Sequence, residues 1–231
     1  MRTSQRGPQE RRETFTQLKR RDQLVECAID AIVEVGFQRA SVGEVARRAG
    51  VSKGVVTYHF AAKDDLIGAV IDRVIESMAD NMRSRLWSAV PDMAPEEFIS
   101  AYITVWVEFY RSHARDVLAL VRVYNSFRDE SGLPHPAFGV RADEIAGVEQ
   151  ILRRGQAAGR FGDFSAPVMA TAIKAVLDDL LTQFTADPDL DLEAHGAALI
   201  AIFERATRPD PQPASTSRGA HHQPSDRKEE R

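Results

Sequence analysis

From about Lys19 to Arg208 the apolar residues of this chain return every three or four positions, and no β-branched run alternates with polar residues between turn signals. That period suits helices and leaves no material for a sheet, so the expected fold class is all-α. Leu24, Ala28, Ala31, Ile32 and Val35 mark a first helix, and Gly36 ends it. Ser41 followed by Glu44 reads as a capping box for a short second helix. Gly50 interrupts, and a third short helix is expected from about Ser52 to Phe60. A long fourth follows from about Lys63 to Ser88, stopped by Pro91. Five more are expected at about Pro95–Ser112, Ala114–Arg128, Ala137–Ala158, Ala166–Thr185 and Leu192–Thr207, giving about nine in all. Their breaks carry Gly, Pro or Asp, as in SGLPHP and TADPDLD.

Composition narrows the function. A hydrophobic share of 43% against 28% charged residues suits a folded chain, not a disordered one. No stretch nears the roughly 18 consecutive apolar residues of a membrane span. The N-terminus has basic residues without an apolar run behind them, unlike a secretory signal, so a cytoplasmic protein with no membrane partner is expected. The single cysteine, Cys27, excludes an internal disulfide and is expected to be a small core residue. Residues 1–70 carry 12 Lys/Arg against 9 Asp/Glu, whereas residues 71–231 carry 18 against 25. A basic end on an acidic body fits an end-on contact with nucleic acid. Arginine outnumbers lysine 25 to 5 throughout, so abundance of arginine alone is the competing explanation.

The informative stretch is residues 41–66, SVGEVARRAGVSKGVVTYHFAAKDDL. Val42, Val45 and Ala46 face inward from its first short helix, Ala49 permits a close crossing, and Gly50 supplies the backbone angle of a tight turn. Ser52 is placed to cap the second helix, and Val56 and Phe60 to anchor it. Lys53, Val55, Thr57 and Tyr58 then occupy the outer face, on a helix of a length that suits a major groove.

The run A-x-x-A-G-V-S-x-G-x-x-x-Y-H-F-x-x-K-x-x-L, carried by Ala46, Ala49, Gly50, Val51, Ser52, Gly54, Tyr58, His59, Phe60, Lys63 and Leu66, resembles the DNA-binding signature of the tetracycline-repressor (TetR) family. The match covers about residues 20–66; beyond it only helix number and length agree. One departure is Thr57, where the family often has an aromatic residue. The resemblance implies that Ser41, Ser52, Lys53, Thr57, Tyr58, His59 and Lys63 face DNA, mostly at phosphates, with Gly54 and Val55 nearest the base edges. It implies a flexible basic arm over residues 1–18, a helix-turn-helix DNA-binding domain over 19–66, a helical ligand-binding and dimerisation domain over 67–208, and a disordered tail over 209–231. The expected partners are operator double-stranded DNA, a small-molecule effector and a second copy of the chain, and the expected activity is ligand-responsive transcriptional regulation, most simply repression. A helical sensor with weak or no specific DNA binding is the alternative.

In the C-terminal half, Phe98, Tyr102, Trp106 and Phe109 form one stripe of one helix. The stripe is either core packing or the wall of an apolar cavity. The ligand-binding set expected on the second reading is Trp87, Phe98, Tyr102, Trp106, Phe109, Tyr124 and Phe127, and the scarcity of charge on those faces suggests a mostly hydrophobic effector. The expected dimer interface lies on the last two helices, at Met169, Ile173, Leu177, Leu180, Ala198, Leu199, Ile202 and Phe203, with Gly196 among the small residues allowing close approach.

Other patterns point away from catalysis. Asp187, Asp189 and Asp191 open like a calcium loop, but Leu192 and Ala198 stand where that loop needs Gly and Glu, so Asp191 is expected as a helix cap. Asp178 and Asp179 are adjacent and diverge on a helix, His195 is expected at a surface or interface, and no metal or nucleophile spacing occurs. No enzyme, cofactor or metal is expected.

Overall fold

The structure is a computed structural model that describes residues 8–124, 126–127 and 140–209. The expected tail from residue 210 onward lies outside these, as do residues 1–7 of the arm. Nine α-helices follow one another with no strand among the described residues: α1 Pro8–Val35, α2 Val42–Ala49, α3 Lys53–His59, α4 Lys63–Met82, α5 Pro95–Ser112, α6 Ala114–Tyr124, α7 Val140–Ala157, α8 Ala166–Ala186 and α9 Leu192–Thr207.

Two boundaries differ from expectation for local reasons. The first helix begins at Pro8 rather than near Lys19. Proline is preorganised for a first helical position, and the following Gln, Glu and Arg residues favour helix strongly. Residues 8–18 thus continue α1 as a rod, and Phe15 and Leu18 on it are exposed. The fourth helix runs on beyond Met82, but its last turn, Arg83–Trp87, widens into a π-helix before a 3-10 turn at Val90–Asp92. Ser84 there returns its hydroxyl to the carbonyls of Asp80 and Asn81, and Ser88 does the same to Ser84. Such back-bonding competes with the regular ladder and bends helices.

The buried apolar residues form two clusters. In the first, Leu24, Val25, Ala28, Ile29, Ala31 and Ile32 of α1 meet Val45 and Ala46 of α2, Val56 of α3, Phe60, and the first three turns of α4 from Leu66 to Val74. Ala119, Leu120 and Val123 of α6, with Phe127, complete it. The core beneath the helix-turn-helix is therefore not confined to residues 19–66: half of α4 and one face of α6 belong to it. Two ties reinforce the α1–α6 contact. Arg122 donates to the carbonyls of Ile32, at 3.0 Å, and of Val33 at the end of α1, and Arg115 pairs with Glu26 and Asp30.

The second cluster surrounds α5. Nine of its side chains are buried, more than one stripe can hold, so α5 is a central helix. α7 and α8 pack together beside it and α9 lies along it. Gly196 permits that last approach: a Cβ there would come within 3.0 Å of Val107. The small residue expected at an interface between subunits thus serves a contact inside the chain.

Candidate nucleic-acid interface and effector domain

The helix-turn-helix is assembled from local signals. Ser41 caps α2 by accepting from the Glu44 amide at 3.2 Å. Glu44 does not return the bond; its carboxylate takes Arg47 and Arg48 instead, so only half of the expected capping box forms. Those two guanidiniums hold the Glu44 carboxyl down at about 2. Arg48 also reaches Glu34 at 2.8 Å and so ties α2 to α1. Gly50 ends α2 at φ 65°, a left-handed conformation that side chains resist. Ser52 has the backbone of a helix cap, but its hydroxyl makes no capping bond, contrary to expectation.

α3 buries Val56 alone and presents its other side chains outward. Tyr58 is 72% exposed, with its ring edge-on to His59 at 5.1 Å and its hydroxyl 3.4 Å from the Gln17 amide of α1. Thr57 bonds back to the carbonyls of Lys53 and Gly54, which leaves its methyl group as the outward feature. Ser52, Lys53, Gly54 and Thr57 are exposed, while Val55 and His59 are half-buried. The Lys53 stem lies across α2, close enough that a Cβ at Gly43 would fall 2.7 Å from its Cε. Gly43 thereby sets where Lys53 emerges, a role the sequence reading missed.

Two basic side chains, the expected contact Lys63 and also Arg21, are engaged inside the domain. Lys63 donates to the Phe37 carbonyl at 3.1 Å and sits over the Phe37 ring, and Arg21 lies over the ring of Phe60. Both are drawn inward because each is rooted beside an aromatic ring that can share its charge.

The family model for bacterial regulatory proteins of the tetR family matches residues 24–70, the segment from mid-α1 to the first turns of α4. Over those residues the chain is similar to the tetR family of bacterial regulatory proteins. It is 36% identical over 84 residues to the HTH-type transcriptional regulator BetI of Klebsiella pneumoniae, covering 36% of this chain and 43% of that protein. It is 37% identical over 84 residues to BetI 2 of Chromohalobacter salexigens, covering 36% of this chain and 40% of that one. The chain thus spans less than half the length of these curated relatives. The tetR fold itself extends across nearly all of the described chain. A tetR-family regulator from Rhodococcus RHA1 superposes with a TM-score of 0.70 at 19% identity, covering 84% of this chain and 99% of that one. The regulator FadR of Bacillus subtilis, solved with stearoyl-CoA, gives 0.64 at 18% identity, covering 78% and 96%.

The aromatic set expected to line an effector cavity divides. Phe98, Tyr102, Trp106 and Phe109 are buried in the second core, with Trp87 half-buried against Phe98 at 5.7 Å between ring centroids. Phe127 belongs instead to the first core, edge-on to Phe37, and Tyr124 is exposed. Polar groups from other helices meet the tips of the stripe. Glu144 of α7 accepts from Tyr102 Oη at 2.6 Å and from Trp106 Nε1 at 2.9 Å through one carboxylate oxygen. Lys174 of α8 lies 4.5 Å above the Trp106 ring and pairs with Asp178. An open cleft of about 500 Å³ lies against α5, lined by Arg85, Glu96, Glu97, Ser100, Thr104 and Glu108 together with Ala101 and Val105, and none of the expected aromatic residues lines it.

The expected dimer residues divide as well. Ile173, Leu177, Leu180 and Phe203 are buried within their own chain, because the stripe that carries them faces α7 or α5. Met169 and Leu199 are half-buried, and Ala198 and Ile202 are exposed. The exposed apolar surface of α8 and α9 overlaps the expected set only at Ala198 and Ile202 and adds Val168, Ala175, Val176, Ala194, Ala197 and Ala201.

Asp191 caps α9 by accepting from the Ala194 amide at 2.9 Å, and His195 is exposed, bonded back to the Asp191 carbonyl. Asp178 and Asp179 diverge, one to Lys174 and the other to Gln183. Cys27 is half-buried against the first core. Among the described residues no helix is long and apolar enough to cross a membrane, and no group of three His, Cys, Asp or Glu is placed to hold a metal.

Proposed function

We propose that the chain is a ligand-responsive repressor that binds a palindromic operator as a homodimer and leaves it when a small, mostly apolar molecule enters the C-terminal domain. The observation that carries this reading is α3: one buried anchor, Val56, beneath an outward face of Lys53, Gly54, Thr57 and Tyr58, set by a tight turn against α2. Side chains so arranged reach phosphates and base edges when the helix lies in a major groove. A palindrome needs two-fold symmetry in the protein, and the exposed aliphatic face of α8 and α9 supplies a surface for it. The transcription-regulating relatives and the ligand-bound FadR neighbour support the same reading.

The test is titration of a fluorescent duplex library at several salt concentrations. Wild type should select a palindrome over random duplex. Tyr58→Ala should weaken binding to that palindrome by about tenfold or more, and Lys53→Ala should lower the salt slope by roughly one unit. In sedimentation, Ile202→Asp should yield a monomer with weakened operator affinity. A wild type indifferent to sequence would refute repression and leave a helical sensor.

A further inference from the structure

On the exposed face of α3, Thr57 turns its polar group back onto its own helix. Its hydroxyl lies 3.2 Å from the carbonyls of both Lys53 and Gly54, one turn earlier, and donates its single proton to them. Threonine carries hydroxyl and methyl on the same carbon, and its χ1 is stiff, so the bond that fixes the oxygen also fixes the methyl. The ground around that methyl is clear. Helical side chains lean toward the preceding turn, which here holds Gly54 and Lys53. A Cβ built on Gly54 would meet nothing nearer than Ser52 Oγ, at 3.6 Å. The Lys53 stem is drawn away across α2, where it passes over Gly43. The neighbouring apolar residues are less accessible: Val55 is half-buried and Val56 is the anchor beneath.

A helix lying in a major groove meets hydrogen-bonding atoms on every base pair and one apolar group, the C5 methyl of thymine. A hydroxyl free to rotate serves as donor or acceptor and distinguishes little between bases. The Thr57 hydroxyl has its donor engaged, and the group it leaves facing the groove is apolar and held in one position. The side chain is short, so contact needs the helix backbone close to the bases, and the bare Gly54 on the same face permits that approach. We propose that Thr57 is a specificity-determining residue that reads the C5 methyl of one thymine in each half-site of the operator. The assignment rests on the operator-binding reading above and adds to it which base is read and by which group. It also separates Thr57 from Tyr58, whose exposed hydroxyl suits a phosphate and contributes affinity without sequence.

The test compares thymine with deoxyuridine, which lacks only that methyl and keeps every hydrogen-bonding atom of the base. The full chain is titrated against the palindrome it selects, and against copies in which each thymine in turn is replaced by deoxyuridine. In wild type, replacement at the position Thr57 faces should weaken binding by about fourfold, the effect of one buried methyl-sized group. Replacement in both half-sites should weaken it by about the square of that ratio. The ratio of thymine to deoxyuridine affinity is then measured for two variants, so that any change in overall affinity or in folded fraction cancels. Thr57→Ser keeps the hydroxyl and loses the methyl, and at one sensitive position its ratio should fall to about one. Thr57→Val keeps a methyl and loses the hydroxyl, and at that same position its ratio should stay within about twofold of wild type. A selected palindrome without thymine, or a ratio near one at every thymine in wild type, would overturn the assignment while leaving operator binding intact. So would a penalty that survives at every sensitive position in Thr57→Ser, which would trace the contact to another apolar group such as Val55. A penalty lost equally in Thr57→Val would show that the hydroxyl is the reading group, and would overturn it too. A wild type that selects no duplex refutes the operator-binding reading, and this assignment with it.

Discussion

The core beneath α3 and the core around α5 are filled with similar aliphatic side chains, yet among the described residues only the second holds a buried charged side chain. In the first, every buried residue is apolar, and the ion pairs Glu44–Arg47, Glu44–Arg48, Glu34–Arg48 and Glu26–Arg115 lie around its edge. In the second, Lys174 is buried among Tyr102, Trp106 and Glu144. A purely apolar core fixes one arrangement of three short helices, which a surface presented to a rigid partner requires. A core that also holds an ion pair must satisfy its polar groups together, so it should answer to polarity as well as to volume.

The sharpest test of this contrast is Phe60→Ala. Phe60 is almost wholly buried where α3 ends, and its loss should cost about 3–5 kcal/mol in denaturant unfolding, with operator affinity falling in parallel. A cost below ~1 kcal/mol would mean that α3 is held by something other than this anchor. The second core should respond to polarity more than to volume. Glu144→Leu should cost roughly 1–3 kcal/mol, because Tyr102, Trp106 and Lys174 all lose an acceptor, and Glu144→Gln clearly less, because the amide oxygen still receives the two donors. Equal costs for Leu and Gln would show that Glu144 acts by filling space.

The smallest effect is at the edge of the first core. The Glu44 carboxyl is depressed to about 2 from an ordinary value near ~4.3. Its ionised form is favoured in the folded state, so the stabilisation is complete above the ordinary value and disappears as pH falls toward 2. The stability difference between wild type and Glu44→Gln should be constant from neutral pH to about 5 and then shrink through the acid range. A difference that persists unchanged at low pH would place its origin elsewhere than the Arg47 and Arg48 bonds.

The two halves also differed in how far sequence alone revealed them. The helix-turn-helix was legible because its determinants are local: Ser41 caps α2, Gly50 takes a left-handed angle, and Val56 and Phe60 are one turn apart. Even there, the expected cap at Ser52 is missing, and Lys63 faces Phe37, since neither sequence pattern says which of several nearby acceptors a flexible group will choose. The charge cluster was not legible, because Glu144, Lys174 and Trp106 come from three helices whose pairing no local period encodes. One clue was present: Lys174 and Asp178 form an i, i+4 pair on an otherwise apolar helix. The residues expected at a dimer interface divide between core and surface because an amphipathic stripe looks the same whether it is covered by its own chain or by another. Ile173, Leu177, Leu180 and Phe203 are covered from within, and Val168, Ala175, Val176 and Ala194 are apolar side chains left exposed.

The Arg122 bonds to the last carbonyls of α1 have a mechanical consequence. With Ala119, Leu120, Val123 and Phe127 inserted beneath α1 and α4, α6 moves as part of the helix-turn-helix head although it lies about fifty residues downstream of it. Any swing of that head must carry α6 along, and the bending has to be taken up where α6 joins its neighbours. On the α5 side that place is His113, a single residue between two helices, stacked on the Phe109 ring at 4.2 Å. Phe109 in turn lies edge-on to Trp106. The joint that would have to flex is therefore two aromatic rings away from the face on which Lys174 rests.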